Sequence, residues 1–376
     1  MEVPFLDLAG TTGDVRSQVS AGWSRLLDSS QFIGGEVVER FESRWATYCG
    51  TSEAVGVANG TDAIQLTLRA LGIGSGDEVI VPANSFVATA EAVVLAGATP
   101  RFADVDPVTL LLTPADVQAA VTERTRAVIV VHLYGQMADM DALSQVADRL
   151  GIALIEDAAQ AHGASWLGRM AGSIGRAGCF SFYPGKNLGA FGDAGAVVTS
   201  DASLAARIRS LRDHGRAGNS HEEHACVGTN SRLDALQAVV LDAKLDRLDE
   251  WNASRRAIAQ RYRAVLNAAA LTLIPELPGS YGVYHLAVVR VPRRAQVRRW
   301  FESLGIDTKV HYPTPIHLLD PYAHFATHPL PVVEQSAAQL VSLPMYPHMS
   351  EMQINQVCLG LAAVDELLHE HGVNRA

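Results

Sequence analysis

The chain has 376 residues, of which 48% are hydrophobic and 19% charged, with a net charge of −10. At about 150 residues per domain this length allows two domains, and the composition excludes a disordered or membrane-embedded chain. The acidic balance argues against a nucleic-acid or anionic-membrane surface.

Four cysteines lie far apart with no C-x-x-C pair, which suits free thiols in a reducing cytoplasm. The opening MEVPFLDL has no signal-peptide pattern, so a cytoplasmic location is expected. No apolar run reaches the roughly 18 residues of a membrane span.

From about residue 50, short apolar runs alternate with helical patterns. Strands are expected at 54–57, 78–81, 99–103, 127–132, 153–156, 177–182 and 195–199, and helices at 62–70, 86–95, 114–121, 139–150 and 203–214. Strands that read apolar throughout, joined by helical crossovers, specify a mostly parallel, seven-stranded sheet buried on both faces, an α/β fold. Two long helical patterns follow at 231–250 and 253–269. Pro275, Pro278 and Gly279 then break the chain. An apolar run at 283–291, a helix at 295–304, a strand at 306–310 and helices at 332–341 and 351–369 suggest a smaller second α/β domain. The expected division is a large domain with an N-terminal arm over 1–250 and a small C-terminal domain over 251–376.

Polar residues at the C-terminal ends of parallel strands are where an α/β sheet places its ligand. The first such end is Asn59-Gly60-Thr61-Asp62. There Gly60 permits close backbone approach, and a helix N-terminus offers free N–H groups to an anion. An ordinary N-cap explains it equally well. The second is Glu156-Asp157, followed by Gln160 and His162. A carboxylate after four apolar residues needs a partner, and Gln160 and His162 are close enough in sequence to share its ligand. The third is the glycine-rich loop after 177–182, which carries Lys186.

Only three residues are lysines, against 27 arginines, so an amine-dependent reaction has three candidate positions. Lys244, in LDAKLDRLDEW, reads as part of a solvated helix face among acidic neighbours. Lys309 fits an alternating strand. Lys186, between Gly185 and Asn187 after buried aromatics, has no such ordinary reason. It belongs to no P-loop, since Asn187 follows it. The three strand ends together suit pyridoxal 5′-phosphate, which needs an amine, an acid for its ring nitrogen, a phosphate cradle and a flat packing partner. His221-Glu-Glu-His224 is not H-E-x-x-H and reads as a solvated loop rather than a metal site. His369 and His371 read as a polar tail.

The motifs VPFLDL, NGTDA, PANSFVATA, EDAAQAHGA, SFYPGKNLGAFGD, GTNSRLDALQA, GIDTKVHYPTPIH and LPMYPHMS resemble those of the DegT/DnrJ/StrS sugar aminotransferases, on the aspartate-aminotransferase-like (type I) fold. The resemblance implies that Lys186 is the Schiff-base lysine and Asp157 the partner of the pyridinium nitrogen. Phe86 would stack on the ring, and Gln160 would lie near its hydroxyl. Gly60, Thr61, Asp62 and Ser181 would hold the phosphate, and Asn230 would reach it from the neighbouring subunit of a homodimer. Tyr183, His311, Tyr312 and His317 would approach the nucleotide sugar. Asp193-Ala194 departs slightly from the family pattern, and the difference is expected to affect loop packing.

The implied reaction moves an amino group from L-glutamate to a nucleotide-linked, usually dTDP-linked, keto-deoxysugar. YPGKNLGA and HLYGQ most resemble members that aminate the 3-keto position; amination at C-4 is the alternative. A non-catalytic cofactor-binding regulator is a further alternative, opposed by the complete set of Lys186, Asp157 and Gln160.

Overall fold

The computed structural model describes residues 2–218, 222–266, 271–364 and 367–368. His221, His369 and His371 therefore lie outside the described residues, as do the ends of the helices expected at 253–269 and 351–369.

Two helices that the sequence reading did not assign open the chain, α1 (Ala9–Ser29) and α2 (Glu36–Cys49). Helix α1 buries Val15, Val19, Gly22 and Leu26 along one stripe. In α2, Phe41 and Trp45 face the core while Arg40 and Arg44 stay outward.

The large sheet follows the expected strands closely: β1 (Glu53–Val57), β2 (Glu78–Pro82), β3 (Thr99–Ala103), β4 (Thr125–Val131), β5 (Ala153–Asp157), β8 (Ala177–Ser181) and β9 (Gly195–Thr199). The short strands β6 (Ser165–Trp166) and β7 (Arg169–Met170) form a side ribbon. The sheet order is β1-β9-β8-β5-β4-β2-β3. Only β9 runs against the others, paired antiparallel to β1 and β8, so the sheet is mostly parallel. Helices α3 (Gly60–Ala70), α4 (Ala88–Leu95), α5 (Pro114–Ala120) and α6 (Met140–Leu150) make the crossovers, and α7 (Ala202–Arg212) follows the last strand of the sheet.

The expected long helix at 231–250 is two. Helix α8 (Ala235–Leu245) stops, and α9 (Leu248–Val265) starts after Asp246 and Arg247. Helix α9 is shared between two hydrophobic cores: Leu248 and Trp251 pack in the first, Ile258 and Tyr262 in the second. It also runs across residues 250 and 251, where the division into domains was expected.

Beyond it, β10 (Thr272–Leu273), β12 (Ala287–Arg290) and β13 (Leu340–Leu343) form a three-stranded antiparallel sheet. Strand β11 (Ser280–Tyr281) joins the side ribbon. Helices α10 (Arg294–Ser303), α11 (Pro331–Ala337) and α12 (Glu351–Ala362) complete the second unit.

The helix expected at 332–341 is corrected to a short helix followed by a strand, because apolar runs this short suit either period. The expected strand 306–310 is reduced to isolated pairings, Ile306 with Val3 and Lys309 with Ser342. No described helix is long and apolar enough to cross a membrane.

Candidate active site

The C-terminal ends of β1, β2, β4, β5 and β8 open into one cavity of about 520 Å³. Lys186, Asp157, Gln160, Gly60, Phe86 and Tyr312 all line it, and so do Thr61, Ser181, Tyr183 and His311. Segments around residues 60, 157 and 186 thus meet where the sheet topology brings their strand ends together.

Lys186 stands in a tight turn after β8. Its own N–H donates to the Tyr183 carbonyl at 2.8 Å, and the Ala190 N–H closes the turn on Phe182 at 2.8 Å. The neighbouring Asn187 is buried, and its Nδ2 donates to Asn252 Oδ1 at 2.8 Å and to the Val283 carbonyl at 3.0 Å. The turn is therefore fastened while Lys186 Nζ, which makes no hydrogen bond among the described residues, faces the cavity. Burial pushes the amine down to about 8, an effect that the charge of Asp157 partly offsets.

Asp157 ends β5 and is buried. Its Oδ2 accepts the Thr89 hydroxyl at 2.8 Å, and Thr89 Oγ1 lies 2.7 Å from Ser85 Oγ. Since the single Thr89 proton goes to the carboxylate, Ser85 must donate to Thr89. Gln160 Oε1 accepts the Tyr134 N–H at 2.7 Å, and its Nε2 donates to the Tyr312 hydroxyl at 3.2 Å, which fixes the amide orientation. Burial and the nearby Asp157 charge raise the Tyr312 phenol, keeping it protonated.

At the end of β1, Asn59 caps α3 by accepting the Asp62 N–H at 2.8 Å. A Cβ on Gly60 would stand 2.6 Å from Ser181 Cβ, so only glycine lets this helix N-terminus approach the end of β8. Phe86 is 53% exposed, and its ring centre lies 5.8 Å from that of Tyr312. His311 stacks on Phe5 at 5.7 Å, and its Nδ1 lies 2.8 Å from Ser342 Oγ. Burial, then the Lys186 charge, pushes His311 down to about 4, so the ring is neutral near pH 7.

Three sequence expectations fall away from this cavity. Asp62 does not line it: its carboxylate accepts Ser231 Oγ at 2.7 Å and its N–H is taken by Asn59. Asn230, expected to act in the neighbouring subunit, is exposed and outside its own chain's cavity. His317 is buried, with Nε2 3.1 Å from Glu334 and its ring against Phe102. His162 is sealed among Trp45, Phe180 and Phe182 and donates to the Ser181 carbonyl at 2.9 Å. It therefore cannot share the ligand of Asp157.

Lys244 is a fourth correction. It is buried, not solvated, and Asp242 and Asp246 on its helix pair with Arg40 and Arg44 of α2 instead. Of the cavity residues, Ser85, Thr89, His285, Phe5 and Leu6 were missed. Ser85 and Thr89 carried a readable signal, two hydroxyls at i,i+4 spacing beside Phe86.

The DegT/DnrJ/EryC1/StrS aminotransferase family model matches residues 15–362. The chain belongs to this family. It is 48% identical over 359 residues, 94% of each chain, to dTDP-3-amino-3,4,6-trideoxy-α-D-glucose transaminase of Streptomyces venezuelae. The crystal structure of S. venezuelae DesV superposes with a TM-score of 0.93 at 46% identity, covering 96% of this chain and 98% of that one. NtdA of Bacillus subtilis, solved with bound PMP, gives a TM-score of 0.90 at 32% identity over 96% of this chain and 84% of that one.

This family member is accordingly an aminotransferase whose cofactor is pyridoxal 5′-phosphate. The cavity suits that group on its own chemistry. It offers a lysine amine with no hydrogen bond among the described residues, a buried carboxylate held by a hydroxyl, and a helix N-terminus kept open by glycine.

Proposed function

We propose that the chain transfers the amino group of L-glutamate to a dTDP-linked 3-keto-6-deoxyhexose. The observation that carries the chemistry is Lys186 and Asp157 facing one cavity from adjacent strands β8 and β5. The 48% identity to a transaminase named for a dTDP-3-amino sugar supports the substrate and the position.

In this reading Lys186 Nζ holds the cofactor aldehyde and Asp157 its ring nitrogen. Phe86 lies against the ring, Gln160 beside its hydroxyl, and Gly60, Thr61 and Ser181 around the phosphate. Asn230 reaches the phosphate of the partner in a homodimer. When bound, the cofactor supplies the electron sink for the carbanion formed at the donor α-carbon.

The chain supplies the proton transfers. With the donor bound, Lys186 Nζ would act as the base that takes the proton from the α-carbon, and in the second half-reaction as the acid that gives a proton to the sugar carbon receiving the amino group. A free lysine near 10.4 would be almost wholly protonated at neutral pH, whereas one near 8 keeps a working fraction of neutral amine. Asp157, fixed by Thr89, keeps a negative charge opposite the ring nitrogen. Tyr183, His311 and Tyr312 line the cavity and meet the sugar nucleotide, His311 and Tyr312 as neutral hydrogen-bonding groups. His317, sealed against Glu334, takes no direct part.

The test is product analysis with glutamate and either a dTDP-3-keto or a dTDP-4-keto sugar, alongside borohydride reduction and peptide mapping. The expected result is a 3-amino sugar, 2-oxoglutarate and a label on Lys186. Capture of the cofactor by apoprotein should quicken as pH rises and level off above about 8, because only neutral amine reacts. Amination at C-4 alone would overturn the substrate; a colourless protein that takes up no cofactor would overturn the chemistry.

A further inference from the structure

Lys244 is 3% exposed, and among the described residues no carboxylate pairs with it. Its Nζ donates to the Gly189 carbonyl at 2.7 Å and stands 4.6 Å from the centre of the Phe191 ring. Both groups belong to the loop that carries Lys186. Burying an ammonium without a counter-charge is costly, so packing alone does not account for a lysine here.

The loop it holds has little freedom elsewhere. A Cβ on Gly189 would lie 2.4 Å from the Pro184 carbonyl oxygen, because the turn folds tightly back on itself. The same helix α8 fastens the next residues, since Gln237 Oε1 accepts the Phe191 N–H at 2.9 Å. Asn252 and Val283 hold Asn187. Lys186 and Lys244 border one small void, together with Arg255 and Asp7.

We propose that Lys244 is a positioning residue for the transamination: by holding the Gly189 carbonyl and the Phe191 ring against α8, it sets where the turn presents Lys186 Nζ in the cavity. This rests on the reading of Lys186 as the amine that bonds the cofactor. A charged donor makes a stronger bond to a carbonyl than a neutral one, and the ring face adds a second fixed contact.

The test compares wild-type, Lys244→Met and Lys244→Gln holoenzymes at equal cofactor loading. Methionine keeps the apolar length and deletes the donor; glutamine restores a neutral donor. Lys244→Met is expected to lower kcat roughly 10- to 100-fold, the scale of a misplacement of about 1 Å, with KM for the sugar nucleotide within about twofold. The pH midpoint of the bound-cofactor absorbance should move, and Lys244→Gln should recover most of the lost kcat.

Wild-type kcat and an unmoved midpoint in Lys244→Met would overturn the proposal. So would equal losses in both variants that merely follow the loss of folded protein on melting. Should Lys244→Met fail to fold, Lys244→Leu, which also lacks the donor, is read in its place: a lowered kcat with a moved midpoint supports the proposal, and wild-type values overturn it. Borohydride labelling of the wild type is read first. Label absent from Lys186 overturns both readings, whereas label present with indifferent variants overturns this one alone.

Discussion

Asp157 owes its orientation to a hydroxyl relay, with Ser85 donating to Thr89 and Thr89 to the carboxylate. A hydrogen bond to a charged group contributes about 1.5–3 kcal/mol. Thr89→Val keeps the shape and deletes the donor, so it should lower kcat/KM by roughly 10- to 100-fold if that orientation is used in the transition state. Steady-state kinetics with a parallel melting curve checks this; an unchanged kcat/KM would show that Asp157 needs no such support. At this scale the sequence spoke clearly where one residue type was scarce. Lys186 was found because two other lysines were its only rivals. Lys244 was misread because its neighbours at i−2 and i+2, Asp242 and Asp246, were already committed to arginines some 200 residues away. His162 and His317 failed similarly: their sequence positions matched the motif, but their partners are set by packing that local spacing does not encode.

Elements with a single clear period were legible. All seven main strands fall within two residues of their expected bounds, because fully buried strands are continuous apolar runs bounded by polar turns. What local pattern left undecided was the break between α8 and α9, where apolar residues continue on both sides of Asp246. The same holds for the run 338–343, which becomes β13 by pairing with β12. The approach of α3 to β8 is the element-scale feature that shapes the site. Gly60→Ala places a methyl carbon 2.6 Å from Ser181 Cβ and 3.1 Å from its Cα. The second contact is backbone, so the helix must withdraw rather than a side chain swing aside. Overpacking of this kind costs about 1–3 kcal/mol, and part of it should appear as weaker cofactor binding, roughly 5- to 100-fold in Kd. Titration of apoprotein with cofactor measures it; affinity equal to wild type would place the phosphate elsewhere.

Two cores in one chain put the cavity under the control of both. The first core supplies the strand ends; the segment after β12 and the N-terminal residues bring His311, Tyr312 and Phe5 over them. Val3 anchors that N-terminal segment in the second core, its N–H donating to Gly305 at 2.8 Å and its carbonyl accepting from Asp307 at 3.0 Å. Asn230 is the one proposed cofactor residue that is exposed and belongs to a loop outside its own chain's cavity, which is where a residue serving a second copy would sit. If so, the two functions can be separated onto different chains. Lys186→Ala removes the amine from its own cavity, and Asn230→Asp sets a carboxylate against the phosphate of the partner. Each variant alone should be nearly inactive. In a twofold-symmetric dimer that carries one of each, both damages fall in the same cavity and the other is wild type. After mixing, unfolding and reassembly in equal amounts, half of the dimers are mixed, so about a quarter of all cavities should work. Recovery of about that fraction supports a shared site, and no recovery from a mixture shown to contain mixed dimers means that Asn230 acts within its own chain or not at all.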